Sequence, residues 1–297
     1  MILDNIVVSN DFGNITINIG SGGDLIVGGV LAYADEKLNN DLKIWKTYVN
    51  YRSGDKVIRS GSGLCGVYDF DPDVPFDFNY KETDTIHSTT AEELATNIFR
   101  FYPDLLIPED QARVIQLLRY HDLGEDVVGD KADDGSTPKD VKFTVELTEF
   151  VKKIEHLPNT VQQRLIKDFI MFENANDPRW SDRDKAVLQF AKLCDKTDAP
   201  LGALLFETQG REGSLLFKKN KYGGITDQDQ KYIDQIGEYS QAGVWTAHMI
   251  DTYRDYKFIM LFIRIIDAAV NDVRGHSFPW LYEFMNKRDM DTSFIIS

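Results

Sequence analysis

The stretch Leu117-Leu-Arg-Tyr-His-Asp-Leu-Gly-Glu-Asp-Val-Val-Gly-Asp130 decides the reading of this chain. Its first half ends an amphipathic helix: Val114, Leu117 and Leu118 recur at helical spacing. Pro108-Glu-Asp upstream marks the start of that helix, because proline and acids favour a first turn. The helix runs into His121-Asp122, with Glu125 one turn further on. On a continuing helix, His121 and Glu125 share a face. Imidazole and carboxylate together suit Zn, Mn, Fe, Co or Ni, whereas carboxylate and water alone favour Mg. Asp126 to Pro138 is acidic, contains glycine and reads as a loop.

Working outward, the helical period covers most of the chain beyond about residue 85. Thr90 and Glu93 stand in capping-box spacing, followed by Leu94, Ile98 and Phe101 on one face, which sets His87 just ahead of a capped helix. Further helices are expected at about 140–156, 158–173 and 181–207, the last interrupted near Pro200. Asp195 falls inside the apolar pattern Val187 to Leu205, where a carboxylate must be paired, protonated or metal-bound. Lys218 to Gly224 reads as a polar turn, and Asp227 to about Ile266 as helix again. Phe258 to Ile266 is too short to span a bilayer and contains Arg264, so it reads as a buried helix.

Residues 1 to about 80 look different. Glycines cluster in Gly20 to Asp24, Gly28-Gly29 and Gly61 to Gly63, and β-prone runs such as Ile6-Val-Val8 and Ile15 to Ile19 lie between turn residues. No Lys-Ser/Thr signature follows these glycines, so they match no P-loop. The expected fold is mainly α: a helical bundle over 81–210, a small β-containing segment over 1–80, and extra C-terminal helices over 211–297.

The formal net charge of -15 and a pI of about 4.8 repel a phosphate backbone and argue against duplex nucleic acid as a partner. A small phosphate ester stays open, because a bound cation sets the local field at a metal site. Cys65 and Cys194 match no metal or redox spacing and read as reduced packing thiols of a cytoplasmic protein. The first residues carry neither a basic nor a long apolar segment of the signal-peptide type, so no membrane association is expected.

Each candidate also has an ordinary structural reading: His87 as a surface residue at a helix start, Asp195 as an ion-pair partner of Lys192 or Lys196, Asp130 as a loop cap. Taken together, their order resembles the HD superfamily of metal-dependent phosphohydrolases, whose motif is His … His-Asp … Asp on a helical bundle. The matching residues are His87 in Thr85-Ile-His-Ser-Thr, His121-Asp122, and Asp195 in Leu193-Cys-Asp-Lys-Thr-Asp198. The 5'-deoxynucleotidase branch is the most similar. Its form His-Asp-x-x-Glu-x-x-x-Gly-Asp, followed by Thr-Pro, is met by His121 to Asp130 and Thr137-Pro138. The resemblance spans roughly residues 85–207 and departs from the branch in the inserted Lys131 to Ser136 and the long glycine-rich lead.

The resemblance implies one divalent metal ion, of unspecified identity among Mn, Co, Fe, Ni, Zn and Mg, held by His87, His121, Asp122 and Asp195. It implies Glu125 as the residue that positions or deprotonates the attacking water, and Asp130 as a support for the leaving group or sugar. The implied substrate is a small phosphorylated molecule, a nucleoside monophosphate. Hydrolysis of nucleoside triphosphates or guanosine polyphosphates, or a metal-binding regulatory role with little turnover, stays open. So do a homodimer built on the late helices and a basic phosphate contact from Arg52 or Arg59.

Overall fold

The computed structural model describes residues 5–10, 13–19, 25–27, 30–52, 58–59, 81–82, 84–124, 139–208 and 227–293. They are mainly helical, as expected. In chain order the helices are α1 (Val30–Arg52), α2 (Asp84–Phe101), α3 (Pro108–Tyr120), α4 (Lys139–Ile154), α5 (Asn159–Glu173), α6 (Asp182–Thr208), α7 (Asp227–Ile236), α8 (Gln241–Tyr253), α9 (Ile259–Arg274) and α10 (Leu281–Asn286). Asn5–Asn10, Gly13–Ile19 and Leu25–Val27 run as short antiparallel strands ahead of α1.

Helix α6 is the axis of the bundle, with α2, α3, α8 and α9 packed around it. Its sequence explains the position. Val187, Leu188, Phe190, Ala191, Leu193, Leu201, Ala203 and Leu204 are all buried, and a helix apolar on most sides belongs inside. Phe190 stacks on Phe99 at 4.8 Å and meets Phe258 and Phe262 edge-on at 5.3 Å each. Truncating such a ring to alanine costs about 3–5 kcal/mol. The expected interruption at Pro200 does not occur, since α6 runs on to Thr208. Proline deletes one ladder donor, but the core contacts of Leu201, Ala203 and Leu204 hold the following turns in line.

Three further features differ from expectation. Residues 30–52, inside the stretch read as strands and loops, form the 23-residue helix α1, which packs on α9 and α2. Ile44, Trp45 and Tyr48 enter the core, and the Trp45 indole donates to Asp272 on α9 at 2.9 Å. Helix α2 starts at Asp84, so Thr90 is a buried interior residue and not a cap. Burial of His87, Ser88, Thr90 and Ala91 outweighs the local capping signal and puts His87 in the first turns of the helix. Finally, the helical stretch from Asp227 is three helices. Gly237, at φ 68°, ends the first turn sequence, and Ser240 then caps α8 by accepting from the Gly243 N–H at 3.1 Å.

At the last turn of α9, Arg274 donates to Glu207 of α6 from Nε at 2.8 Å, to Glu238 ahead of α8 from Nη1 at 2.7 Å and to the α8 cap Ser240 from Nη2 at 2.9 Å, tying α6, α8 and α9 together. Trp245 and His248 are half-buried on α8, with His248 against the Tyr232 ring. Helices α4 and α5 form a separate layer around Phe150, Ile154, Leu165 and Phe169, resting on the bundle beside α3. Among the described residues, no helix is long and apolar enough to cross a membrane.

Candidate metal centre

Three elements of the bundle bring the candidate ligands together. α2 supplies His87 from its first turns, the turn after α3 supplies His121 and Asp122, and α6 supplies Asp195 from its middle. His121 enters because α3 is amphipathic. Burial of Val114, Leu117 and Leu118 sends the end of the helix inward, and the His121 Nδ1–H donates to the Leu118 carbonyl at 2.8 Å. That bond leaves Nε2 facing the cluster.

The donor atoms form a ring: Asp195 Oδ1 bridges the two imidazole nitrogens on one side, and the two oxygens of Asp122 meet one nitrogen each on the other. His87 Nε2 is 3.0 Å from Asp195 Oδ1 and 3.6 Å from Asp122 Oδ2. His121 Nε2 is 3.1 Å from Asp122 Oδ1 and 3.6 Å from Asp195 Oδ1. Donors sharing an ion at about 2.1 Å lie about 3.0 Å apart in an octahedron and about 3.4 Å apart in a tetrahedron. The ring therefore has edges of coordination size. One ligand atom each from His87, His121 and Asp122 lies within 4.8 Å of the others. The two imidazoles and Asp195 are buried, and Asp122 is half-buried.

Burial makes the arrangement costly unless something binds there. His121 Nε2 is buried and makes no hydrogen bond among the described residues. An orphaned imidazole nitrogen beside two carboxylates fits a cation. Desolvation alone would lower the His121 pKa, but Asp122 and Asp195 outweigh it and raise it. Burial works to raise the Asp195 pKa, and Lys196 with the two imidazoles instead holds it well below the usual carboxylate range. Lys196 Nζ sits 3.0 Å from Asp195 Oδ2, so the ordinary ion-pair reading of Asp195 also holds, and Oδ1 is the oxygen turned to the histidines.

Glu146 has no counterpart in the sequence reading, and Lys192, read there as a possible partner of Asp195, pairs with Glu173. Glu146 on α4 is buried, and its Oε1 pairs with Lys142 Nζ at 3.3 Å. Burial raises its pKa, Lys142 opposes this, and Glu173 and Asp122 add to the rise. Lys192 on α6 lies 4.0 Å from the centroid of the Phe172 ring and 2.9 Å from Glu173 Oε1. The ring of Phe172 also meets His121 at 5.3 Å. An acid four residues after Lys142 on an amphipathic helix was the only sequence signal for Glu146.

Glu125 and Asp130 lie outside the described residues, as do the side chains of Arg52 and Arg59. Helix α3 ends at Tyr120 and His121 to Gly124 form a turn, so the shared helical face expected for His121 and Glu125 is not carried by α3. No family model, curated protein or solved structure matches the chain.

Proposed function

We propose that this chain is a divalent-metal-dependent phosphohydrolase that releases orthophosphate from a nucleoside monophosphate. The observation that carries the reading is the buried ring of His87, Asp195, His121 and Asp122, with edges of 3.0–3.6 Å. Their order along the chain, similar to that of the HD superfamily, supports the same reading, as does a helical bundle that supplies them from α2, the end of α3, and α6. When bound, the ion would polarise a phosphoryl oxygen and lower the pKa of a coordinated water.

The residues themselves would do the rest. Two neutral imidazoles and two carboxylates balance a dication, and four protein donors leave positions open for water and phosphate. Lys192 and Lys196 lie on the same side of α6, one turn apart, where they pair with Glu173 and Asp195 and offset the acids around the ring. Glu125 would take the proton of the attacking water, and Asp130 would hold the leaving alcohol. The ester P–O bond breaks, and the alcohol and orthophosphate leave.

The test is orthophosphate release from a panel of nucleoside mono- and triphosphates, with Mn, Co, Ni, Fe, Zn or Mg added separately. Metal-dependent release from monophosphates, lost in Asp122→Ala together with bound metal, is expected. Glu125→Ala should keep the metal and lose turnover. If both variants hydrolyse substrate like the parent, the site is wrong, and release from triphosphates alone would replace the monophosphatase reading.

A further inference from the structure

We propose that Asp198, held in turn by Tyr48 of α1, is the positioning residue that orients His87 and, by holding a proton on Nδ1, makes Nε2 the nitrogen presented to the ion. This rests on reading the ring as a divalent-metal site. Asp198 stands one turn after Asp195 on α6, so both carboxylates project to one side of the helix. They grip opposite nitrogens of the same imidazole. Asp195 Oδ1 is 3.0 Å from His87 Nε2, and Asp198 Oδ2 is 2.8 Å from His87 Nδ1.

A carboxylate can only accept, so the Asp198 contact at 2.8 Å holds a proton on Nδ1. Without an ion, the Asp195 contact at 3.0 Å likewise calls for a proton on Nε2. A bound dication would take the place of that second proton while Asp198 keeps the first, so Nε2, facing Asp122 and Asp195, is the nitrogen that turns its lone pair to the ion. The Asp198 side chain is fully buried. Its other oxygen, Oδ1, accepts from the Tyr48 hydroxyl at 2.7 Å, and that hydroxyl is 3.3 Å from the Asp198 carbonyl. A buried carboxylate needs such donors to offset lost hydration. Tyr48 is itself anchored, stacked on Trp45 in the α1 face that packs on α9. The chain Tyr48–Asp198–His87 thus carries the packing of α1 to the ring of ligands. It gives α1, 150 residues away from Asp198 in sequence, a part in the chemistry.

The experiment is direct titration of the full chain with Zn2+ and, separately, Mn2+, by competition with a chelator of known affinity. Asp198→Asn keeps the size and an acceptor for Nδ1–H but removes the charge. It should weaken metal binding about 10- to 100-fold, with turnover recovering at saturating metal. Tyr48→Phe should give a smaller loss in the same direction. A merely structural role would lower stability and leave metal affinity where it was. A parent chain that binds neither ion sinks the metal reading itself. A parent that binds, with Asp198→Asn binding equally well, overturns only the role of Asp198. Should Asp198→Asn fail to fold, 15N shifts of His87 in the metal-free parent decide. Protonated Nδ1 supports the proposal, and a bare Nδ1 with protonated Nε2 overturns it.

Discussion

Gly124→Ala should injure both stability and turnover, because α4 leans on the turn that carries His121 and Asp122. A Cβ built on Gly124 lies 2.4 Å from the Glu146 carbonyl oxygen and 3.0 Å from its carbon. Both are backbone atoms and cannot swing aside. Non-bonded heavy atoms rest at about 3.5 Å, so turn and helix must part by about 1 Å. Overpacking of this kind costs about 1–3 kcal/mol. Restricting the unfolded chain returns only about 0.4–1 kcal/mol, so the variant is less stable overall. Gly124 is not among the glycines with positive φ, so the methyl group and not the backbone conformation is at fault. The turn that must give carries His121 and Asp122, two of the four ligands, so metal affinity should fall together with turnover, by up to about 100-fold for a displacement near 1 Å. Urea unfolding at neutral pH reads the first effect; metal titration and orthophosphate release read the second. Wild-type stability and turnover in Gly124→Ala would refute the close packing of α4 on this turn.

Two other measurements probe the fold and the site independently. Asp267 on α9 is buried, its Oδ1 accepts no hydrogen bond among the described residues, and burial pushes its pKa up to about 6, with Ser277 opposing. A raised folded-state pKa means a contribution that is complete below the unfolded value near 3.8 and lost as pH rises through about 6. The loss is about 3 kcal/mol at about 1.4 kcal/mol per unit. The stability of Asp267→Asn relative to the parent should therefore climb by that order between pH 4 and pH 7, and a pH-independent difference would contradict the assignment. At a metal concentration about 100 times the dissociation constant, the ion should stabilise the folded chain by about 2.7 kcal/mol. That corresponds to a rise in Tm of about 5–10 °C at about 2–4 °C per kcal/mol. The rise should vanish in His87→Ala and Asp122→Ala, and an equal shift in those variants would place the ion elsewhere.

What could be read in the sequence follows from the range of the interactions. The helices from Pro108 onward were legible because their signals are local: Pro108 with two acids, apolar repeats such as Val114, Leu117 and Leu118, and the buried run before Ile266. α1 was hidden by the glycines on either side of it, although Val30–Arg52 contains neither glycine nor proline and spaces Ile44, Trp45 and Tyr48 along one face. Thr90 misled for the opposite reason. Its local capping signal is sound, and tertiary burial overrode it.

The same division runs through the site. His87, His121, Asp122 and Asp195 could be named because their residue types and order form a pattern. Their supports could not, since nothing local marks Asp198 as the acceptor for His87 or Tyr48 as its donor. Those bonds depend on α1 lying across α2 and α9, and that packing depends on Trp45 and Tyr48 being buried. An element that sequence reading would set apart as a leader is thus built into the layer behind the ligands. Changes to the Trp45–Tyr48 face of α1 should accordingly reach metal affinity through Asp198 and His87, although neither Trp45 nor Tyr48 touches the ion.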